Sequence, residues 1–206
     1  MACVLCYNGG MTRYACIHGL LAFSLLGLGA PVQAAPSKKA RLGSGEILVS
    51  ATKVKGSPQP QATVMGVIDA PPEKVWAIIS NCADYKRTMI RVSESKQLWK
   101  KGNVHRCRVT VDLPFPLSTL TATTDAVHKV VPGKKWQRSW SLVEGDFERN
   151  TGSWTLAPFD ADSKRTLVIY KAHAVPNLPI PDGIRRAAQR KTLPNIIENL
   201  RKQVTR

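Results

Sequence analysis

Val67-Ile68-Asp69-Ala70-Pro71-Pro72-Glu73-Lys74-Val75-Trp76 carries a strand into a helix across one sharp boundary. Upstream, the run from Ala62 to Ile68 is rich in Val, Thr and Ile, the composition of a strand. Proline is tolerated in the first turn of a helix, where its missing N–H has no partner to lose. Asp69 or Pro71 therefore marks the boundary, and Glu73 suits the positive helix start. Val75, Ile78, Ile79 and Cys82 then fall at i, i+3, i+4 and i+7, one helical stripe facing a core. A second helical turn is expected over 83–87.

Beyond that point the period changes. Six runs read as strands: 92–100, 104–113, 120–131, 135–143, 151–157 and 165–174. Lys101-Gly102-Asn103, Pro114 with Pro116, Pro132-Gly133, Glu144-Gly145-Asp146 and Asp160-Ala161-Asp162 separate them, a spacing of hairpins in an antiparallel sheet. Alternation assigns faces. Cys107, Val109 and Val111 point one way, and Arg106, Arg108 and Thr110 the other. Trp136, Arg138, Trp140 and Leu142 share a face, as do Gly152, Trp154 and Leu156.

Pro176, Pro179 and Pro181 form a rigid connector that suits neither a helix nor a central strand. After it, Ile184, Ala187, Ala188, Leu193, Ile196, Ile197, Leu200 and Val204 keep to one side at helical spacing. Pro194 either kinks this helix or starts its second half. On the N-terminal side, 46–50 is a candidate strand and 53–61 reads as loop. The order is strand, helix pair, six strands, long C-terminal helix. That is an α+β domain whose single curved antiparallel sheet wraps around the last helix, with the first helices closing one end.

Residues 1–34 read as a cleavable signal peptide. Arg13 supplies a positive start, Ile17 to Ala30 is almost purely apolar, and Val32-Gln33-Ala34 offers small residues ahead of a cleavage point before Ala35. The apolar run is shorter than the roughly 20 residues that cross a bilayer. No Cys stands where a lipoprotein signal would place one. An exported protein, periplasmic or secreted, is therefore expected. Residues 35–45 are a Ser/Lys/Gly-rich lead-in expected to be flexible, and 46–206 form one domain.

The chain carries a formal charge of +16, of which the signal removes only Arg13. Such a charge favours polyanions or an anionic membrane surface. The basic residues come in short blocks (Lys38-Lys39, Lys100-Lys101, Lys134-Lys135, Arg185-Arg186) that point to no specific nucleic acid. Cys3, Cys6 and Cys16 leave with the signal. Cys82 and Cys107 remain, and an exported chain allows them one disulfide, although both also fit the pattern of buried thiols.

The landmarks resemble the START-like helix-grip (SRPBCC) superfamily, in its polyketide cyclase/dehydrase and coenzyme Q-binding branch. The stretch 67–76 resembles the family's opening strand and Ala-Pro-x-x-x-Val-Trp step. Asn81-Cys82-Ala83-Asp84-Tyr85 resembles its Asp-Tyr element, with Lys86 where the family often has Pro. Gly152-Ser153-Trp154 resembles its Gly-x-Trp strand, and Pro179-Ile180-Pro181 with Leu193-Pro194 its C-terminal segment. The similarity spans 60–204. It implies a deep apolar cavity between the sheet and the last helix, holding a lipid, quinone, polyketide or similar molecule.

Little else in the chain offers chemistry. His105, His128 and His173 lie on three different predicted strands without a His-x-x-x-His or Cys-x-x-Cys pair, so no metal is expected. There is no Gly-x-Ser-x-Gly elbow and no nucleotide fingerprint, and paired carboxylates are scarce, with Glu144, Asp146 and Glu148 clustered at a turn where solvation accounts for them. No cofactor is expected either. The aromatics say more, since Trp and Tyr bring a large apolar body with a polar tip.

A ligand cavity is therefore expected between Ile184, Ala188, Ile196, Ile197 and Leu200 on the helix and Trp76, Tyr85, Val109, Trp140, Trp154 and Tyr170 across from them. The expected function is a monomeric, non-catalytic carrier of a hydrophobic small molecule. The alternatives are a cyclase or aromatase using the same cavity, and a basic envelope protein held on anionic lipid.

Overall fold

A computed structural model describes residues 35–206 except 116, 180, 182, 185–187 and 206, and gives the backbone alone at 188 and 189. The expected signal peptide, Ala187 and the Arg185-Arg186 pair lie outside the described residues. Eight strands form one sheet: β1 (Leu48–Thr52), β2 (Gln61–Ile68), β3 (Val92–Lys101), β4 (Val104–Asp112), β5 (Thr119–Val131), β6 (Lys135–Gly145), β7 (Phe147–Pro158) and β8 (Thr166–Pro176). Their order is β1-β2-β8-β7-β6-β5-β4-β3, and every neighbouring pair is antiparallel. From β3 to β8 the chain is a meander of hairpins, as the turn residues require. Two strands precede the helices rather than one, because 48–52 pairs back onto 61–65. The intervening loop is pinned by the buried His173, whose Nε2 lies 2.8 Å from Ser57 Oγ and 3.1 Å from the Gln59 carbonyl.

Pro71 caps α2 (Pro72–Ser80), so neither proline removes a helical hydrogen bond. Val75 and Ile79 are fully buried. Cys82 begins a 3-10 turn (Cys82–Asp84) that leads into α3 (Tyr85–Thr88). Lys86 donates its backbone N–H to Ser95 Oγ at 2.8 Å, a bond that a proline at this position could not make.

Lys38–Gly43 forms the short helix α1, capped by Ser37 and anchored by the buried Leu42. The Arg41–Glu46 ion pair and Lys39 over the Phe159 ring hold its flanks.

At the other end Ile184 is helical, as expected, and the helix is described again from residue 188. A π-helical turn (Ala188–Thr192) precedes α4 (Leu193–Gln203), and Pro194 stands in the first turn of α4, starting the second half rather than kinking it. Along β2, α4 comes close because residue 66 is glycine: a Cβ there would stand 2.6 Å from Ile197 Cγ2. Arg201 fastens the same crossing through the carbonyls of Val67 and Gly45. Val64, Ile68, Val75, Ile79, Leu156, Val168, Ile197 and Leu200 form the core between the sheet and helices α2 and α4. Each such burial contributes about 1.5–3 kcal/mol. These elements make an α+β helix-grip fold.

Candidate functional site

The core does not fill the grip. Between the concave face of the sheet, α3 and α4 lies a cavity of about 360 Å³, within the roughly 300–1,000 Å³ usual for small-molecule pockets. Its back wall is aromatic, with one ring from each of three neighbouring strands: Trp140 on β6, Trp154 on β7 and Tyr170 on β8. Ring centroids are 5.9 Å apart for Trp140 and Tyr170, and 4.5 Å for Trp154 and Tyr170. Gly152 gives the Trp140 indole its place, since a Cβ there would lie 2.3 Å from Cζ2 of that ring. The indole N–H donates to Asn150 Oδ1 at 3.0 Å.

Opposite, Tyr85 and Met89 from the α3 region and Ile196 from α4 close the cavity. Tyr85 donates its hydroxyl to the Ile79 carbonyl, and Asn199 Nδ2 donates to the Thr88 carbonyl at 2.6 Å, joining α4 to α3. Arg91 and Asp112 are the exposed residues of the lining, so the cavity reaches solvent beside them. Cys82 and Cys107 form a disulfide that ties the turn after α2 to β4 directly behind Tyr85.

One charged side chain enters this apolar space. Arg138 is 4% exposed and lines the cavity from β6, between Trp136 and Trp140 on the same face. Across the ladder it stands beside His128 on β5 and Trp154 on β7. Its Nη2 approaches Cys107 Sγ at 3.7 Å, and its guanidinium carbon lies 5.5 Å and 5.8 Å from the Tyr85 and Trp140 ring centroids. Those rings attract a cation at such range. Among the described residues the Nε–H has no partner and no carboxylate pairs with the group. Withdrawing an ion from water costs several kcal/mol, so Arg138 is the one conspicuously unbalanced group of the interior. The strand alternation had already put it on the face of Trp136, Trp140 and Leu142, and a charge on an apolar face is the signal that could have found it.

On the far side of Arg138 a shallower cleft holds Trp76, Ser80, Lys100, His105 and His128. His105 and His128 are distant in sequence, but the register of β4 with β5 brings their rings to 4.0 Å. His105 Nδ1 lies 3.2 Å from Gln97 Oε1, whereas His128 Nε2 is buried without a partner. Burial, reinforced by His105, Arg138 and Lys100, pushes His128 down to about 4. Burial with Lys100 and Arg138 also lowers His105. Among the described residues no three His, Cys, Asp or Glu side chains gather as metal ligands would.

The expected residues divide accordingly. Tyr85, Val109, Trp140, Trp154, Tyr170 and Ile196 meet at the cavity. Trp76 instead packs its ring edge-on to His128, centroids 5.1 Å apart, in the second cleft. Ile197 and Leu200 are fully buried in the core against β2, because the helix turns only Ile196 of that stripe toward the open space. Ile184 is half-buried away from the lining, and the side chain of Ala188 lies outside the described residues.

An open antiparallel grip with one internal cavity defines a START-like helix-grip domain. The chain belongs to the family described as polyketide cyclase / dehydrase and lipid transport, whose model matches residues 68–201, well over half of it. No curated protein matches the sequence. Solved structures share its fold. A STAR-related lipid transfer protein from Xanthomonas axonopodis is 19% identical, with a TM-score of 0.65 over 84% of this chain and 97% of that one. Human StAR-related lipid transfer protein 5 is 14% identical, with a TM-score of 0.66 over 80% and 84%. An aromatase/cyclase from a Streptomyces species is 15% identical, with a TM-score of 0.56 over 71% and 93%.

Proposed function

We propose that this protein is an exported, non-catalytic carrier that holds a hydrophobic small molecule in the cavity between the sheet and α4. The observation that carries the reading is the cavity itself, lined mainly by apolar and aromatic side chains, with Arg91 and Asp112 as its exposed lining residues. The lipid transfer proteins among its structural relatives point the same way. Against an enzyme stands the state of the cavity's polar groups. Tyr85 spends its hydroxyl on a backbone carbonyl and Asn150 accepts from Trp140. Burial, with Tyr85 nearby, pushes Tyr170 up to about 12, so it keeps its proton at neutral pH. No Ser, Cys or His stands among the described residues that line the cavity. Export is supported by the signal-like sequence of residues 1–34 and by a disulfide, which persists in oxidising compartments.

Two measurements test this. Native mass spectrometry of protein taken gently from its own envelope should show a co-purifying hydrophobic molecule on a chain that begins near Ala35. In solution, the neutral fluorophore N-phenyl-1-naphthylamine should brighten on entering the cavity. A protein that takes up no apolar probe and carries no ligand would end the carrier reading, and an intact N-terminus on cytoplasmic protein would end the export reading.

A further inference from the structure

Arg138 does not need to be there for the fold. Its neighbours on the same face of β6 are Trp136, Trp140 and Leu142, and an apolar residue at 138 would extend that surface without interruption. Instead the position holds a group that keeps its charge in proteins. The partners available to it, two aromatic rings and one sulfur, are all neutral. Its field also goes unanswered: Arg138 is one of the causes that lower both His105 and His128. The buried Nε–H has no acceptor among the described residues, and the guanidinium that lines this apolar space carries a charge that nothing in the interior answers.

We propose that the cavity selects amphiphiles bearing one anionic oxygen head, a carboxylate or a phosphate monoester, and that Arg138 receives this head while the apolar body lies against Trp140, Trp154, Tyr170 and Ile196. The proposal rests on the carrier reading and narrows it to a ligand class. The position of the charge gives the direction of binding. Arg138 is buried and the exposed lining residues are Arg91 and Asp112, so the head enters first and the tail trails toward the mouth. Oxygen anions suit the site because the guanidinium presents planar N–H donors that match carboxylate and phosphate geometry. Transfer of such a head next to Arg138 balances two charges that are each costly alone in an apolar interior. A neutral head offers the Nε–H an acceptor but leaves the cation unbalanced.

The experiment uses the full mature protein loaded with N-phenyl-1-naphthylamine, a neutral reporter of cavity occupancy. Dodecanoate, dodecyl phosphate and dodecanol compete for it, separating the two anionic sources from an uncharged head on the same tail. Wild type should be emptied by either anion at a roughly tenfold lower concentration than by dodecanol, the factor that 1.4 kcal/mol of differential binding gives. In Arg138→Met, a side chain of similar length without charge, the three competitors should become equivalent, each measured against the variant's own affinity for the probe. Acetate and inorganic phosphate should leave the probe in place. Equal competition by dodecanoate and dodecanol in wild type overturns the proposal whether or not the variant folds. So does a preference that survives in Arg138→Met, or displacement by the tailless anions. Failure of wild type to bind the probe at all removes the carrier reading with it, an outcome distinct from binding without preference.

Discussion

His128 is held neutral by its surroundings. Its ring lies among Trp76, His105, Lys100 and Arg138, with Nε2 buried and unpartnered. In the folded protein it protonates only near pH 4, against 6.5 ordinarily. Between those values the unfolded chain binds the additional proton, so folding stability rises with pH across the window. The contribution is fully present above about pH 6.5 and drains away as the pH falls toward 4. His105, lowered by the same burial and the same cations, pulls in the same direction. Urea unfolding at pH 7 and at pH 4.5 should show a lower midpoint at the acid value. His128→Phe keeps a ring against Trp76 and should flatten that difference. A variant with the wild-type slope would assign the acid sensitivity to other groups.

At the scale of elements, the disulfide joins two pieces of structure that otherwise meet only through packing. Cys82 sits in the turn between α2 and α3, and Cys107 on β4, 25 residues further along. The link holds α3 over the cavity and buries Tyr85 against the same cluster. Closing a loop of that length stabilises by about 3–4 kcal/mol on the chain-entropy account. The double variant Cys82→Ala with Cys107→Ala should lose an amount of that order in denaturant unfolding. It should also open Tyr85 and Met89 to solvent, since both lie on the tethered segment. An unchanged midpoint would mean that packing and the hydrogen bonds to Ser95 and Asn199 suffice to hold α3 in place.

These elements were legible in different degrees. Strand alternation in β4, β6 and β7 gave the faces, because a period of two follows from backbone geometry and survives any context. Proline chemistry gave the starts of α2 and α4. What periodicity could not give was which part of a buried stripe touches atoms and which part touches space. Ile196, Ile197 and Leu200 look equivalent on a helix, yet one faces the cavity and two face β2. The close approach that decides it comes from Gly66, on a strand 130 residues away in sequence. Trp76 and the His105–His128 pair were misplaced or missed for a related reason: only the register of the strands brings those rings together.

For the whole molecule, the central claim is that a well-packed core and an open cavity lie side by side under a single helix. The boundary between them runs between adjacent residues of α4. Ile197 is fully buried with Gly66 pressed against it, so added volume there has nowhere to go. Ile196 borders the cavity, where a larger ring finds space. Overpacking a filled site costs about 1–3 kcal/mol. Ile197→Trp should therefore lower the melting temperature clearly, or prevent folding. Ile196→Trp should melt near wild type while losing uptake of N-phenyl-1-naphthylamine, because the indole occupies the volume that the probe needs. If the two variants are equally destabilised, the space beside Ile196 is closed in solution, and a filled domain replaces the carrier. If both fold and both still bind the probe, the ligand lies elsewhere than between the sheet and α4. Only the split, stability lost at 197 and binding lost at 196, fits a grip that is closed on β2 and open in front of Trp140 and Tyr170.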